Sequence, residues 1–389
     1  MEMNATASFA LPEDGGVLVG RIWRLDLGGP SVVAVRDGVV FDITKAVPTM
    51  SELCNAKDAA KLAREAEGER LMPVGELLAG TPRAARKPGK PWLVAPTDLQ
   101  AIKAAGVTFA VSMLERVIEE RARGAPEQAV SLRAEITGMI GDDLSRLKPG
   151  SPQAMALKDL LIKKGMWSQY LEVGIGPDAE VFTKAPPMAA VGHLAEVGIH
   201  PMSTWNNPEP EVVVVVNAAG AIVGAALGND VNLRDVEGRS ALLLGKAKDN
   251  NASASIGPFI RLFDDTFSLD DVRRATVSLT VEGEDGFKLE GKSDMGRISR
   301  DPADLVASTI GSHHQYPDGF VLYLGTMFAP IQDRDGKGQG FTHKVGDVVT
   351  IASPKLGRLA NRVVHCGDAE AWTFGTGALM RNLAARGVI

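Results

Sequence analysis

Hydrophobic and polar positions follow two different periods in two parts of the chain. Between residues 107 and 171, apolar residues recur every three or four positions, which predicts helices over 107–123 and from Ser151 onward. After Gly174 the pattern changes to short β-branched runs separated by Gly, Pro and Asn, which predicts strands over 211–216, 221–227, 276–282, 319–324 and 345–351. Such runs indicate a mostly antiparallel sheet rather than alternating βαβ units.

The first part of the chain predicts a smaller unit. Residues 16–44 are typical of short strands broken by Gly-Gly-Pro and Asp-Gly turns, and a helix is expected over 51–66. The stretch 80–92 is rich in Pro, Gly and basic residues, which is typical of a linker. We therefore predict an α+β, mainly β protein, with a small N-terminal α+β domain over 1–95 and a catalytic domain over 96–389.

Composition excludes several classes of protein. The chain has 389 residues, a net charge of −6 and a pI near 5.6, which argues against a broad nucleic-acid surface. Its longest aliphatic run, Val212–Val216, is far shorter than the roughly 20 residues of a membrane helix. Two cysteines, Cys54 and Cys366, provide neither a disulfide framework nor a thiolate zinc site. The start of the chain lacks the features of a secretory signal, so the expected location is the cytoplasm, without a membrane or nucleic-acid partner.

Three acidic residues flank a predicted hairpin. If the turn has an even length, Glu209 faces Gly228 and Glu211 faces Ala226, and Asp230 lies on the same face of the sheet. Three carboxylates this close need a cation, and a set of oxygen ligands without His or Cys suits Mg²⁺ or Mn²⁺. A three- or five-residue loop would send Asp230 to the opposite face. Spacing alone fits equally well two solvated glutamates and a turn aspartate.

Several motifs in and around this segment resemble those of the fumarylacetoacetate hydrolase superfamily. They occur in family order over about residues 106–364 and imply the mixed β-sandwich roll of that superfamily. The matching segments are Phe182-Thr-Lys184, Glu209-Pro-Glu211, Asn229-Asp-Val-Asn-Leu-Arg-Asp235, Gly245-Lys-Ala-Lys-Asp249, Gly257-Pro258 and Gly325-Thr326.

The resemblance also implies roles for individual residues. It makes the three acidic residues ligands of a divalent cation, with Mg²⁺ expected. It places one lysine beside the substrate as a catalytic group and three further residues in contact with the substrate or near it. These residues are Glu209, Glu211 and Asp230 for the metal, Lys246 for catalysis, and Thr326, Gly325 and Lys184 for the substrate.

One motif departs from the hydrolases of the superfamily. Their helix entering the site carries N-Y-x-x-H-x-x-E, where the His–Glu pair activates a water. Here the glutamate is kept as Glu115 and the histidine is replaced by Ser112, which cannot accept a proton near pH 7 without an adjacent base. Both remain candidate catalytic residues on one helix face, although Glu115 also fits a solvated surface charge.

This departure points to a different reaction on a 2-oxo acid. The chain resembles most the 2-keto-3-deoxypentonate dehydratase branch, and Glu115 or Lys246 would remove a proton from C3 before hydroxide leaves C4. The expected product is 2,5-dioxopentanoate. Two alternatives stay open: a hydrolase that cleaves a C–C bond of an acylpyruvate or 2,4-diketo acid, and a non-catalytic metal-binding relative. The expected partners are the small 2-oxo acid and further copies of the chain, as a homodimer or homotetramer.

Overall fold

The structure is a computed structural model that describes residues 10–110, 113, 134, 136, 147–328, 330, 332–337 and 340–389. Its strands are β1 (Leu18–Arg24), β2 (Gly29–Arg36), β3 (Val39–Asp42), β4 (Glu69–Pro73), β5 (Trp92–Val94), β6 (Ala101–Gly106), β7 (Glu180–Ala185), β8 (Glu196–Ile199), β9 (Asn206–Asn207), β10 (Pro210–Val216), β11 (Ile222–Asp230), β12 (Asn232–Leu233), β13 (Ala254–Leu262), β14 (Thr276–Glu282), β15 (Lys288–Asp294), β16 (Phe320–Tyr323), β17 (Val348–Ser353) and β18 (Gly357–His365). Its α-helices are α1 (Met50–Asn55), α2 (Ala59–Glu65), α3 (Val74–Ala79), α4 (Pro152–Lys163), α5 (Gln169–Ile175), α6 (Arg234–Glu237), α7 (Leu244–Lys248), α8 (Leu269–Arg273), α9 (Pro302–Thr309) and α10 (Thr376–Ala385).

Two large sheets organise the molecule. The larger has the strand order β4-β3-β2-β1-β13-β11-β10-β16-β6-β7, with β5 paired to β1, and the smaller has the order β15-β14-β17-β18-β8. Most neighbours are antiparallel, and the pairs β16–β6 and β18–β8 are parallel. The mostly antiparallel architecture and the five strands predicted after Gly174 are therefore confirmed, with shifts of a few residues at their ends.

Strand β10 lies in the middle of the larger sheet because both of its faces are apolar. Its five consecutive valines are fully buried. Successive side chains of a strand point to opposite faces, so Val212, Val214 and Val216 fill the core between the two sheets. Val213 and Val215 fill the core on the opposite face, which α1 and α2 cover. The acidic residues at the start of β10 are thus held by a rigid central strand.

The helices agree with the sequence in part. Helix α4 begins after Ser151, whose side chain accepts a hydrogen bond from the backbone of Ala154, as expected of an N-cap. The single helix predicted over 51–66 is instead two short helices, α1 and α2, and Thr49 caps the first. Most of the helix predicted over 107–123 lies outside the described residues. No described helix is long and apolar enough to cross a membrane.

The N-terminal strands are continuous with the rest of the larger sheet. Strand β1 pairs with β13, and through it β2, β3 and β4 extend the sheet that contains β10 and β11. A core of their own forms on one face, where β1 to β3 pack against α3 and β5. The domain boundary near residue 95 stays a prediction, but the two parts share one sheet.

Candidate active site

The hairpin of β10 and β11 brings the three acidic residues to one face. Glu211 pairs with Gly228, and the amide of Asp230 donates to the carbonyl of Glu209 over 3.1 Å. The predicted register was therefore wrong by two residues, and Asp230 stands opposite Glu209 rather than diagonal to it. Five residues, 217–221, connect the strands, and a register shift at Val215/Val216 restores the parity that this odd-length loop would have reversed.

The three carboxylates form a compact buried cluster. One oxygen from each of Glu209, Glu211 and Asp230 lies within 4.8 Å of the others. Oxygens that share one Mg²⁺ or Ca²⁺ at roughly 2.1–2.5 Å stand at most roughly 4–5 Å apart, so the set fits a single hard cation. Glu211 and Asp230 are almost completely buried, whereas the side chain of Glu209 keeps 18% of its exposure and faces the cavity.

Two lysines pair with this cluster from different sides. The ammonium of Lys248, at the end of α7, lies 2.6 Å from Glu209 Oε2 and 3.0 Å from Asp230 Oδ2. The fully buried ammonium of Lys184, on β7, lies 2.8 Å from Asp230 Oδ1 and donates to the carbonyls of Val231 and Lys248. Lys248 lines the cavity in front of the cluster, whereas Lys184 supports Asp230 from behind.

The lysine predicted to act beside the substrate lies away from the cluster. Lys246 is exposed, and the lysine that reaches the carboxylates is Lys248, two residues later in α7. Residues two apart on an α-helix point in nearly opposite directions, so only one of them can face the cluster. Lys184, expected to contact the substrate, is not among the described residues that line the cavity and pairs with Asp230. Its contact with the substrate stays a prediction.

Burial and mutual repulsion shift the pKa values within the cluster in opposite directions. Burial, with repulsion from Asp230, raises the pKa of Glu209 to about 7 and that of Glu211 well above its usual value. Burial would also raise the pKa of Asp230, but Lys184 and Lys248 together hold it below normal. Burial would lower the pKa of Lys248, yet its acidic neighbours Asp230 and Glu209 raise it well above normal.

The charges around the cluster leave room for a divalent cation. Glu180 and Glu237 add two carboxylates to the three of the cluster. Three cations, Lys184, Lys248 and Arg234, accompany them. With all five carboxylates ionised, as binding of a cation favours, the negative charges among these described groups exceed the positive charges by two. A bound M²⁺ ion would neutralise this excess.

A glycine orients the deepest carboxylate. The backbone N–H of Gly325 donates to Glu211 Oε2 over 2.6 Å. Gly325 has a φ of 86°, and a Cβ at this position would overlap with the hydroxyl of Thr108. A residue with a side chain is therefore excluded on two grounds. Thr326, the next residue, lines the cavity as expected of a substrate contact, and that role stays a prediction.

Glu180 is a site residue that the sequence did not reveal. It lies on β7 two residues before Phe182, so both point to the same face of the sheet, and a register shift at residue 184 interrupts the alternation before Lys184. Burial, then repulsion from Glu237, raises the pKa of Glu180. Its carboxylate lies over its register partner Gly106, where a Cβ would occupy the same space. The position of Glu180 two residues before Phe182 is the signal that could have identified it.

The cluster opens into a cavity of about 760 Å³. Its walls include Glu180, Glu237 and Arg234. The guanidinium of Arg234 stacks on Trp205, with its Cζ 4.6 Å from the centroid of the ring. The cavity is lined by polar, charged and aromatic groups, as expected of a site for a small polar ligand. The predicted catalytic residues Ser112 and Glu115 lie outside the described residues.

Comparison with known proteins shows the family to which the chain is similar. A family model described as the C-terminal part of fumarylacetoacetate (FAA) hydrolase matches residues 168–364, just over half of the chain. A probable 2-keto-3-deoxyxylonate dehydratase of Haloferax volcanii is 31% identical over 201 residues, 52% of this chain and 65% of that protein. A 2-dehydro-3-deoxy-D-arabinonate dehydratase of Saccharolobus solfataricus is 30% identical over 187 residues, 47% of this chain and 58% of that protein. The chain thus matches less than two thirds of the length of either relative.

Solved structures share the fold. The structure of a 2-keto-3-deoxy-D-arabinonate dehydratase complexed with magnesium and 2,5-dioxopentanoate has a TM-score of 0.62 at 19% identity, over 90% of this chain and 99% of that one. A fumarylacetoacetate hydrolase from psychrophilic Exiguobacterium antarcticum has a TM-score of 0.54 at 16% identity, again over 90% and 99%. At these identities the likeness concerns the fold alone, and it confirms the predicted α+β, mainly β class.

Proposed function

The chain belongs to the fumarylacetoacetate hydrolase family, and we propose that it is a divalent-metal-dependent hydro-lyase acting on a 2-keto-3-deoxypentonate of the xylonate or arabinonate type. The product would be 2,5-dioxopentanoate. The observation that carries the proposal is the buried cluster of Glu209, Glu211 and Asp230 beside Lys248. All four lie within the part of the chain that matches the family, and relatives of about 30% identity are named for this dehydration.

Glu209, Glu211 and Asp230 would hold the cation. Three carboxylate ligands, in a site whose ionised groups have an excess of two negative charges, suit Mg²⁺, with Mn²⁺ as the next candidate. When bound, the cation draws electron density from the 2-oxo acid and so makes its C3 protons more acidic. Lys248 forms ion pairs with Glu209 and Asp230, so we assign it the part of supplying positive charge beside the substrate rather than that of the base.

The proton at C3 therefore needs a carboxylate, and Glu180 is suited to accept it. It lines the cavity, and its raised pKa makes it a stronger base than an ordinary glutamate. The C3–H electron pair becomes the C3=C4 double bond and the C4–O bond breaks. Glu180 then returns its proton to the departing hydroxide, which leaves as water. The remaining 5-hydroxy-2-oxopent-3-enoate tautomerises to 2,5-dioxopentanoate.

A product assay tests the proposal. The purified protein is incubated with each C4 epimer of 2-keto-3-deoxypentonate, and the aldehyde proton of 2,5-dioxopentanoate is followed by NMR. We expect turnover of at least one epimer, its loss in EDTA and its recovery with Mg²⁺. Release of pyruvate from an acylpyruvate, without dehydration, would instead identify a C–C hydrolase. Mg²⁺ binding without turnover of either substrate class would identify a non-catalytic relative.

Two pairs of variants assign the roles. Lys248→Ala should abolish turnover, whereas Lys246→Ala, a substitution of the exposed neighbouring lysine, should leave turnover intact. Glu180→Gln should lower kcat by roughly 10²–10⁴-fold, the usual contribution of general acid–base catalysis, and leave Mg²⁺ affinity within a few-fold. Glu115→Gln tests the other candidate for the base. If kcat falls more in Glu115→Gln than in Glu180→Gln, the base is Glu115, on the helix predicted from the sequence.

A further inference from the structure

Two asparagines lie next to the acidic cluster, in a short two-stranded sheet of their own. Asn207, on β9, pairs with Asn232, on β12, and both are only 3% exposed. Asn207 lies two residues before Glu209 and Asn232 two residues after Asp230, and a hydrogen bond from Asn232 to Glu209 places this rung beside the cluster. Both asparagines line the cavity.

The side chain of Asn232 is held in one orientation. Its Nδ2 donates to Glu209 Oε1 over 3.0 Å and to Glu237 Oε2 over 2.6 Å. Both N–H groups of the amide are therefore used, and the reverse orientation would direct its carbonyl at two carboxylates. Asn232 thereby fixes the position of Glu237 relative to the cluster, although Glu237 is not part of the cluster.

The cavity wall beside these asparagines offers a carboxylate as acceptor. Glu237 is half-buried and lines the cavity, and one of its carboxylate oxygens is held by Asn232. The carbonyl oxygens of Asn207 and Asn232 accept no hydrogen bond from the described residues, but they are buried and do not form the surface of the cavity. A carboxylate in the wall favours a ligand group that donates hydrogen bonds, and it repels a negatively charged group.

We propose, on the basis of the function proposed above, that Glu237 binds the hydroxyl-bearing end of the substrate and excludes 2-oxo acids that end in a carboxylate. Asn232 is the positioning residue that aims Glu237. A five-carbon acid whose carboxyl end lies at the cluster has its last hydroxyl near the neighbouring rung, within reach of a hydrogen bond of roughly 2.8 Å. This selection would separate sugar-acid substrates from other 2-oxo acids of equal length.

The cation Arg234 is the alternative contact for that end of the substrate. Its guanidinium lines the same cavity and stacks on Trp205. If Arg234 received the end of the substrate, a terminal carboxylate would be favoured, which is the opposite selectivity. The two possibilities therefore differ in the sign of a measurable preference.

The experiment uses three acids that differ only at C5. 2-Oxopentanoate, 5-hydroxy-2-oxopentanoate and 2-oxoglutarate are titrated into the Mg²⁺-loaded protein by isothermal titration calorimetry. None has a hydroxyl at C4, so none can undergo the proposed elimination, and binding is read independently of turnover. We expect the hydroxy acid to bind at least roughly tenfold more tightly than 2-oxopentanoate, the effect of one hydrogen bond to a charged group, and 2-oxoglutarate to bind most weakly.

Variants separate a selective role from a structural one. Glu237→Gln should remove most of the discrimination against 2-oxoglutarate. Asn232→Leu should lower the ratio of the affinity for the hydroxy acid to that for 2-oxopentanoate, because a change that it causes at Glu209 affects both acids alike, whereas the loss of its bond to Glu237 affects only the hydroxy acid. Glu290→Gln, the same charge change on the exposed strand β15, should alter neither ratio. Tightest binding of 2-oxoglutarate, or unchanged ratios in Glu237→Gln, would overturn the proposal. Failure of all 2-oxo acids to bind, the pentonates included, would instead overturn the proposed function.

Discussion

Removing the charge of Lys184 tests whether this lysine supports Asp230 or contacts the substrate. Its ammonium is fully buried, 2.8 Å from Asp230 Oδ1, and also donates to the carbonyl of Val231. Methionine has a similar unbranched side chain, so Lys184→Met keeps most of the packing and removes the charge and its donors. Asp230 then retains Lys248, at 3.0 Å, as its remaining cationic partner.

The distance gives the scale of the effect. Two unit charges 2.8 Å apart attract by about 6 kcal/mol at an effective dielectric constant of about 20. The cost of burying the ammonium offsets part of this attraction. Breaking a buried ion pair by removing one partner typically costs about 3–5 kcal/mol. Because Lys248 still compensates Asp230, we expect a loss near the lower limit, about 3 kcal/mol in the free energy of unfolding.

The assay is urea unfolding at pH 7 in EDTA, with reversibility established for each variant. A double-mutant cycle with Lys184→Met, Asp230→Asn and the combined variant isolates the interaction between the two side chains, and we expect a coupling of at least about 2 kcal/mol. The reasoning is refuted if Lys184→Met unfolds at the same urea concentration as the unmodified protein while its KM rises. That pattern would restore the substrate contact predicted from the sequence.

Three further perturbations follow from single positions. Gly325→Ala should destabilise the fold by roughly 1–3 kcal/mol and weaken Mg²⁺ binding. The positive φ of Gly325 and the overlap with Thr108 both oppose a side chain at this position. An unchanged affinity for Mg²⁺ in calorimetry would contradict this expectation. Gly106→Ala should displace Glu180 and lower kcat as Glu180→Gln does, and full activity would argue against Glu180 as the base. Burial lowers the pKa of His193 to about 3, so at this residue the folded state binds fewer protons than the unfolded chain, and its contribution to stability falls as pH drops below about 6.5, by about 2–3 kcal/mol down to pH 4.5. His193→Asn, which keeps an acceptor, should remove this contribution. The difference in unfolding free energy between the variant and the unmodified protein should therefore change by that amount between pH 7 and pH 4.5 in urea unfolding, and an identical slope would exclude the assignment.

Hydrophobic patterning was enough to predict the strands around the site. The run Val212–Val216 can only be a strand buried on both faces, and the β-branched runs after it have the same character. The break between α1 and α2 was not predictable from apolar periodicity. Local polar caps set where each helix begins, Thr49 for α1 and Asp58 for α2. Continuity of the N-terminal strands with the larger sheet was also missed, because the pairing of β1 with β13 joins segments more than 200 residues apart.

The convergence of the acidic residues was predicted correctly although the predicted register was wrong. The face to which a side chain on a strand points depends only on whether its position is odd or even. An error of two residues in the pairing therefore left Glu209, Glu211 and Asp230 on one face. The loop has an odd length, which by itself would have placed Asp230 on the opposite face of the sheet. The register shift after Val215 returns Asp230 to the face of the two glutamates. Sequence patterns predict such irregularities poorly because the extra residue has no distinctive composition.

The lysines show the opposite case, where a motif identified the segment but not the residue. Gly245-Lys-Ala-Lys-Asp249 offers two lysines, and the choice between Lys246 and Lys248 depends on how the short helix α7 is rotated about its axis. Five residues contain too little apolar periodicity to fix that rotation. Packing settles it, because Ala247 and Lys248 are buried and Lys246 is exposed.

Three neighbouring residue pairs account for both the chemistry and the selectivity proposed for this site. They are Glu211 with Gly228, then Glu209 with Asp230, then Asn207 with Asn232 in the adjoining two-stranded sheet. The first two pairs provide the carboxylates for the cation, and Asn232 in the third holds the carboxylate of Glu237. Because Asn232 is also hydrogen-bonded to Glu209, a ligand bound at the cluster presents its far end at a set distance from Glu237. Selectivity for chain length and for the terminal group should then change together when Asn232 is altered, whereas substitution of Glu237 should change the selectivity and leave Mg²⁺ affinity within a few-fold.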